Sequence, residues 1–237
     1  PHVSDSGLDD TSRVIQMRKV DPIEKHLLLE AIFLKYGYDF RQYTTNSLDR
    51  RFENILLRNK LTSLMPILEN ILNDKNYFQS LLPQLTINTT EFFRDPIFFK
   101  HLKEIVFPLL QTYPSLKFWV AGCSTGEELY SLAILLQEAG LYERSTIYAT
   151  DINKDCLQQA KEGIFELAGA RVYTANYLAA GGIRNPSDYY TANYGMAIFS
   201  PALKENVVFS DHNLATDGVF GEMHLILCRN VMIYFER

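Results

Sequence analysis

Apolar residues recur along this chain with two different periods, and the change from one to the other divides it. Residues 1–20 are polar and aperiodic and predict a mobile leader. From Asp21 the pattern turns helical, with Asp21 as N-cap, Pro22 at the first helical position and Gly37 as the stop. Leu27, Leu28, Ala31, Ile32 and Leu34 predict the apolar face of that helix. A second helix starts at Asn46 or Ser47, with Leu48, Phe52, Ile55 and Leu56 inward and Arg50, Arg51 and Arg58 on the other side. Residues 63–72 and 76–82 predict two more, so residues 21–84 read as a small all-helical domain ending near Pro83. Its basic side fits either a solvated face or an acidic partner.

Residues 97–110 continue as a helix, and after them short buried strands alternate with helices, the signature of an α/β sheet. Strands are predicted at 118–121, 146–151, 206–210 and 223–228, with a helix after 126, another from 152 to about 161, and the start of one at 231–235. Residues 168–188 read as loop or broken helix, and 189–199 as a small hairpin. The expected fold is α/β: a doubly wound, Rossmann-like sheet over residues 98–237, carrying a small β insert at about 186–209 and preceded by the helical domain. Residues 85–97 form the linker.

The strand ending at Ala121 runs into Gly122-Cys123-Ser124-Thr125-Gly126-Glu127-Glu128. Glycines let a ligand approach the backbone, and two carboxylates suit the positive end of a helix dipole. The next strand ends in Asp151, where nucleotide folds hold ribose hydroxyls, at about the 20 to 25 residues downstream that such folds expect. The turn lacks G-x-G-x-x-G and sets Glu127 and Glu128 where a pyrophosphate would lie. That disfavours a dinucleotide and an oxidoreductase, and favours a cationic sulfonium ligand without phosphate.

Composition narrows the class. The 237 residues are 47% hydrophobic and 22% charged, as in globular proteins, and their net charge of -5 disfavours a general nucleic-acid binder. No apolar run is long enough to span a bilayer. Three cysteines, Cys123, Cys156 and Cys228, without metal-ligand spacing, suggest reduced thiols in the cytoplasm and no metal site. Cys123 is either a small apolar filler or a reactive thiol.

The linker I-N-T-T-E-F-F-R is rich for a connection. Thr89 or Thr90 could cap the next helix, but a cap does not explain Asn88 and Arg94. Together with G-C-S-T-G-E-E, A-T-D-I, H-N-L and C-R-N-V-M-I-Y-F, it resembles the CheR family of chemoreceptor glutamate methyltransferases. The match runs in order from about Leu27 to Arg237. The resemblance implies S-adenosylmethionine as cofactor and S-adenosylhomocysteine as product. It implies methylation of glutamate carboxylates on the cytoplasmic helical region of chemotaxis receptors, by a monomer that uses neither nucleic acid nor membrane insertion. Carried onto this chain, the cofactor site would use Asn88, Thr90, Arg94, Glu127, Glu128, Asp151, Asn213, Leu214, Arg229 and Asn230. Arg94 and Tyr234 would sit nearest the transferred methyl. The family continues past the I-Y-F helix, so a sheet lacking its last strands is expected within these residues. A short insert would bind no receptor tail peptide.

The chemistry asks little of acid–base groups. A glutamate carboxylate, with an ordinary pKa of about 4.3, is already ionised at neutral pH. Alignment and exclusion of water remain, and such positioning can contribute about 7 to 11 kcal/mol at best. Arg94 can orient a carboxylate, or else pair with Asp95 or clamp the linker. Tyr234 can donate a hydrogen bond and wall off solvent, and His212 reads as structural. A methyltransferase-like module that works by protein contact alone is the competing reading.

Overall fold

The computed structural model describes residues 19–41, 43, 45–86, 90–232 and 235. Asn88 and Tyr234 therefore lie outside the described residues.

Helix α1 (Pro22–Tyr36) opens at Asp21, whose carboxylate accepts the Ile23 and Glu24 N–H groups, and closes at Gly37 with φ of 77°. Its buried face is Leu28, Leu29 and Ile32, whereas Leu27 and Leu34 are 45% and 79% exposed. At about 100° per residue those two lie round the helix from Leu28, away from the face that α1 presents to the domain core. Helix α2 (Thr45–Arg58) buries Leu48, Phe52, Ile55 and Leu56 as expected. Arg51 does not lie on the solvent side with Arg50 and Arg58: it is buried and donates to the Leu85 carbonyl at the end of α4. Carbonyls of a last helical turn lack partners in their own helix, and Arg51 satisfies one. Helix α3 (Met65–Asn73) and α4 (Lys75–Leu85) complete the domain. Helix α4 runs through Pro83 to Leu85, because burial of Leu81, Leu82 and Leu85 holds the last turn in place. These helices share one hydrophobic core, separate from that of the rest of the chain.

The linker leads into α5 (Pro96–His101), a π-helical turn (Leu102–Val106) and α6 (Phe107–Leu110), one continuous rod where a plain helix was expected. Strands β1 (Leu116–Ala121) and β2 (Ser145–Asp151) flank α7 (Glu127–Glu138), and α8 (Lys154–Glu162) follows β2. Then come β3 (Ile164–Glu166), α9 (Ala170–Ala179), β4 (Tyr190–Asn193), β5 (Met196–Phe199), β6 (Val207–Asp211) and β7 (Leu225–Leu227). The main sheet is parallel, in the order β6-β2-β1-β7. All its strands therefore end at one edge, where ligands of such sheets bind. Helix α7 buries every residue from Leu129 to Leu136, the pattern of a helix covered on all sides.

A second, antiparallel sheet has the order β3-β5-β4. It is wider than residues 186–209: its first strand begins at Ile164, while β6 belongs to the main sheet. The compactness from which loss of a tail-peptide site was inferred is thus not observed. Residues 170–179 are helical rather than broken, because Gly181 and Gly182 fall after the helix and Tyr173 and Tyr177 bury one face of it. A side chain at Gly182 would strike the Tyr177 ring at 2.2 Å, so glycine lets the chain turn there. Buried Glu138 fastens this insert to the core. It accepts from Tyr177 Oη, from Tyr189 Oη at 2.9 Å, from the Ile183 N–H at 3.2 Å and from Lys103 Nζ at 3.0 Å.

Candidate functional site

The turn between β1 and α7 is held to β2 by its own backbone. Gly122 and Cys123 N–H both donate to the Thr150 carbonyl, at 2.8 and 2.9 Å. Gly122 has φ of 73°, and a Cβ there would lie 2.5 Å from Val231, so this position takes neither another conformation nor a side chain. Ser124 N–H donates to Asp151 Oδ2 at 2.8 Å, and Asn153 N–H to Asp151 Oδ1 at 2.9 Å. Burial pushes the Asp151 carboxyl up, and the Asn153, Ser124 and Ile152 amides oppose that. Asn153 then caps α8 through Oδ1. Ser124 and Asn153 thus hold one oxygen each, and a carboxylate has about four lone-pair sites, so acceptor capacity remains that a pair of sugar hydroxyls could use.

The linker is pinned from the other side. Phe93, with φ of 52°, is fully buried, and its N–H donates to Ser131 Oγ at 2.9 Å. Asp95 also has positive φ, 57°, so two non-glycine residues close together hold an uncommon backbone conformation. Arg229, just beyond β7, ties this segment to α7. Its Nη1 donates to Glu128 Oε2 and its Nη2 to Asp95 Oδ2, each at 2.7 Å, and Nη2 also reaches the Arg94 carbonyl at 3.0 Å. Its guanidinium lies 4.2 Å from the Phe98 ring centroid. Burial raises the Glu128 carboxyl, and Arg229 pulls it back. Asp95 therefore pairs with Arg229, and Arg229 acts as a clamp as well as a wall.

Between these parts lies a cleft of about 870 Å³, open to solvent, at the carboxyl edge of the sheet. Thr90, Arg94, Glu128, Asp151, Asn213, Leu214, Arg229 and Asn230 all line it. Glu127 does not. Its Oε2 accepts from Thr125 Oγ1 at 2.6 Å, and the side chain faces a separate cavity beneath the insert. Consecutive helix positions are about 100° apart, so only one of the paired glutamates can face the cleft. Asn213 bridges to the helical domain, donating to the Gly37 carbonyl at 3.3 Å. His212 lines the cleft as well, and its ring stands edge-on to Trp119 and Phe220, which fixes its orientation. Cys123 is buried and burial pushes its thiol up, which favours the filler reading; Cys156 is buried too.

The sequence reading missed Tyr43, Thr86, Ile152, Val231 and Phe235 as lining residues. Tyr43 comes from the helical domain and pairs with Phe235 through a β-bridge, with ring centroids 5.1 Å apart. No local pattern marks an aromatic residue before α2 as part of a site built on β1 and β2.

Comparison with known proteins identifies the family. The model of the "CheR methyltransferase, SAM binding domain" matches residues 88–237, and that of the "CheR methyltransferase, all-alpha domain" matches residues 24–86. The chain belongs to the CheR methyltransferase family. A Pseudomonas putida protein named "Putative methyltransferase Cher3" is 52% identical over 215 residues, covering 91% of this chain and 79% of that protein. "Chemotaxis protein methyltransferase 2" of Pseudomonas aeruginosa is 36% identical over 163 residues, covering 67% of this chain and 57% of its own length. The "Chemotaxis protein methyltransferase" of Salmonella typhimurium is 32% identical over 168 residues, covering 68% and 54% respectively.

S-adenosylmethionine is the methyl donor of this CheR domain. The residues fit it. The cleft combines a buried strand-end carboxylate with a glycine turn, and the guanidinium of Arg229, which might have drawn a phosphate, is taken up by Glu128 and Asp95. No helix among the described residues is long and apolar enough to cross a membrane.

Proposed function

We propose that this chain transfers a methyl group from S-adenosylmethionine to glutamate side-chain carboxylates on the cytoplasmic helical region of chemotaxis receptors, forming methyl esters for sensory adaptation. One observation carries the reading. Arg94, a cation from the linker, shares a single cleft with Asp151 at the end of β2 and Glu128 at the start of α7. The names of the relatives point to the same substrate class.

The bound cofactor supplies an electrophilic methyl on a positively charged sulfur. The chain's own residues do the rest. Asp151 would accept from ribose hydroxyls, and Asn213 and Leu214 would frame the adenine end. Thr90, Glu128 and Asn230 would enclose the remainder, and the family resemblance adds Asn88. Arg94 would orient the incoming carboxylate, and the family resemblance gives Tyr234 the task of excluding water. The carboxylate arrives ionised, so no side chain need take a proton. His212, which lines the cleft with its ring against Trp119, is therefore not needed as a base. Positioning and water exclusion are then the protein's contribution to rate.

The test is transfer of labelled methyl from S-adenosylmethionine to receptor-bearing membranes, followed by mild alkali. Alkali-labile label that disappears when receptor glutamates become alanine is the expected result. Tight cofactor binding by calorimetry with no labelled receptor would overturn the catalytic reading and leave a module that acts by contact.

A further inference from the structure

A second cavity, of about 1010 Å³ with its open mouth, lies between the linker, the start of α7, α9 and the small sheet. It adjoins the cofactor cleft, since Thr90 lines both. Its walls are aromatic: Phe92 stacks on Phe199 at 4.8 Å, with Phe165, Tyr173 and Tyr190 completing them. Among its described lining residues the charged ones are all acids, Glu91, Glu127 and Glu166, with no lysine, arginine or histidine. Glu91 and Glu166 are exposed at the rim, while Glu127 lies deeper and partly buried.

We infer that this cavity receives a basic side chain of the protein substrate, a lysine or arginine within about one helical turn of the glutamate being methylated. The inference rests on the function proposed above. A long alkyl stem can lie along aromatic walls while its charged head reaches a polar rim. The same head is attracted by ring faces and by carboxylates. A purely apolar side chain would fill the walls but offer no positive charge to the three acids, of which Glu127 has Thr125 Oγ1 as a neutral donor. Residues one turn apart on a helix stand about 5–6 Å from each other, so neighbouring mouths suit a helix that offers a glutamate to one and a base to the other. Burial raises the Glu127 carboxyl, and an entering cation would ease that cost. The cavity thus acts as a specificity pocket, not as part of the reacting centre.

The test uses the full chain with S-adenosylmethionine and 15-residue helical peptides, each with one glutamate and, one turn away, lysine, norleucine or a second glutamate. Peptide affinity is read by fluorescence anisotropy and methyl ester by alkali-labile label. The lysine peptide should bind about tenfold more tightly than its norleucine twin, and the glutamate twin least. Glu91→Gln combined with Glu166→Gln should erase the lysine preference without changing cofactor affinity. Equal or tighter binding of norleucine, no binding of any peptide, or a lysine preference untouched by the double variant would overturn the inference. Lysine-dependent binding with no ester on any peptide would keep the cavity's role and sink the proposed reaction. Ester formation without lysine dependence would do the reverse.

Discussion

Asp151 holds three parts of the site at once: the turn through Ser124, the start of α8 through Asn153, and the face it presents to the cleft. Asp151→Asn turns one acceptor into an amide NH₂ that meets a backbone N–H. It should cost about 1–3 kcal/mol of stability and a similar loss in cofactor binding, seen by thermal melting and calorimetry. An unchanged cofactor affinity would remove Asp151 from the ribose site. The two arginines should separate. Arg94→Ala should lower kcat while cofactor affinity changes little, the mark of a contact made in the transition state. Arg229→Met keeps an apolar stem over Phe98 but strands the Glu128 carboxylate, whose side chain is 15% exposed. That should cost about 2–4 kcal/mol of stability and loosen the linker, so cofactor affinity falls with it. If Arg94→Ala instead abolished cofactor binding, Arg94 would be the clamp and Tyr234 alone would be left for the transfer step.

At the scale of elements, the insert is anchored by Glu138 rather than by area alone. Burial would raise this carboxyl, but bonds from Tyr177, Lys103, Ile183 and Tyr189 outweigh it and hold the carboxyl below its ordinary range. A folded value below the unfolded one adds stability above the unfolded pKa, about 4.3. That share is lost as pH falls through the folded value. Glu138→Gln should therefore lower the melting temperature at pH 7, by about 5–10 °C for about 2–3 kcal/mol, and flatten the acid limb of the stability profile. An equally steep acid limb in the variant would show that other carboxylates dominate it. The anchor was not legible in advance. Lys103, Glu138, Tyr177 and Tyr189 sit on separate elements, and each alone reads as a surface or core residue. The helix of residues 170–179 was obscured by the Gly181-Gly182 pair, whose proximity suggested a loop although both lie beyond its end.

At the scale of the molecule, the helical domain is a wall of the cofactor cleft as well as a packing unit. Tyr43 meets Phe235, Asn213 reaches the Gly37 carbonyl, and Asn153 Nδ2 lies 3.4 Å from Thr86 Oγ1. Tyr43 also packs on Phe40 at the edge of the helical core, so Tyr43→Ala should lower the melting temperature and also weaken cofactor binding about three- to tenfold, a loss in keeping with one aromatic contact. Calorimetry on the full chain checks this. Affinity equal to the parent would mean that the two parts meet without sharing the ligand.

The sequence by itself determined the order of elements, the parallel sheet and most of the cleft. Those features are written locally: hydrophobic period, glycine at a positive-φ turn, an acid closing a strand, and the run C-R-N-V-M-I-Y-F that marks the family. Strand ends of a parallel sheet meet at one edge whatever the details of packing, so Asp151 could be assigned from the pattern, whereas Asn213 and Arg229 came from the family resemblance. Only the tertiary structure decided which way each polar side chain of those segments turns. Glu127 and Glu128 are chemically alike and adjacent, and the helix's 100° step sends one beneath the insert and the other to Arg229. Arg51 sits in a basic run, and a bare carbonyl on another helix draws it inward. Tyr43 lines a site built more than seventy residues later in the chain, because the two hydrophobic cores come to rest side by side.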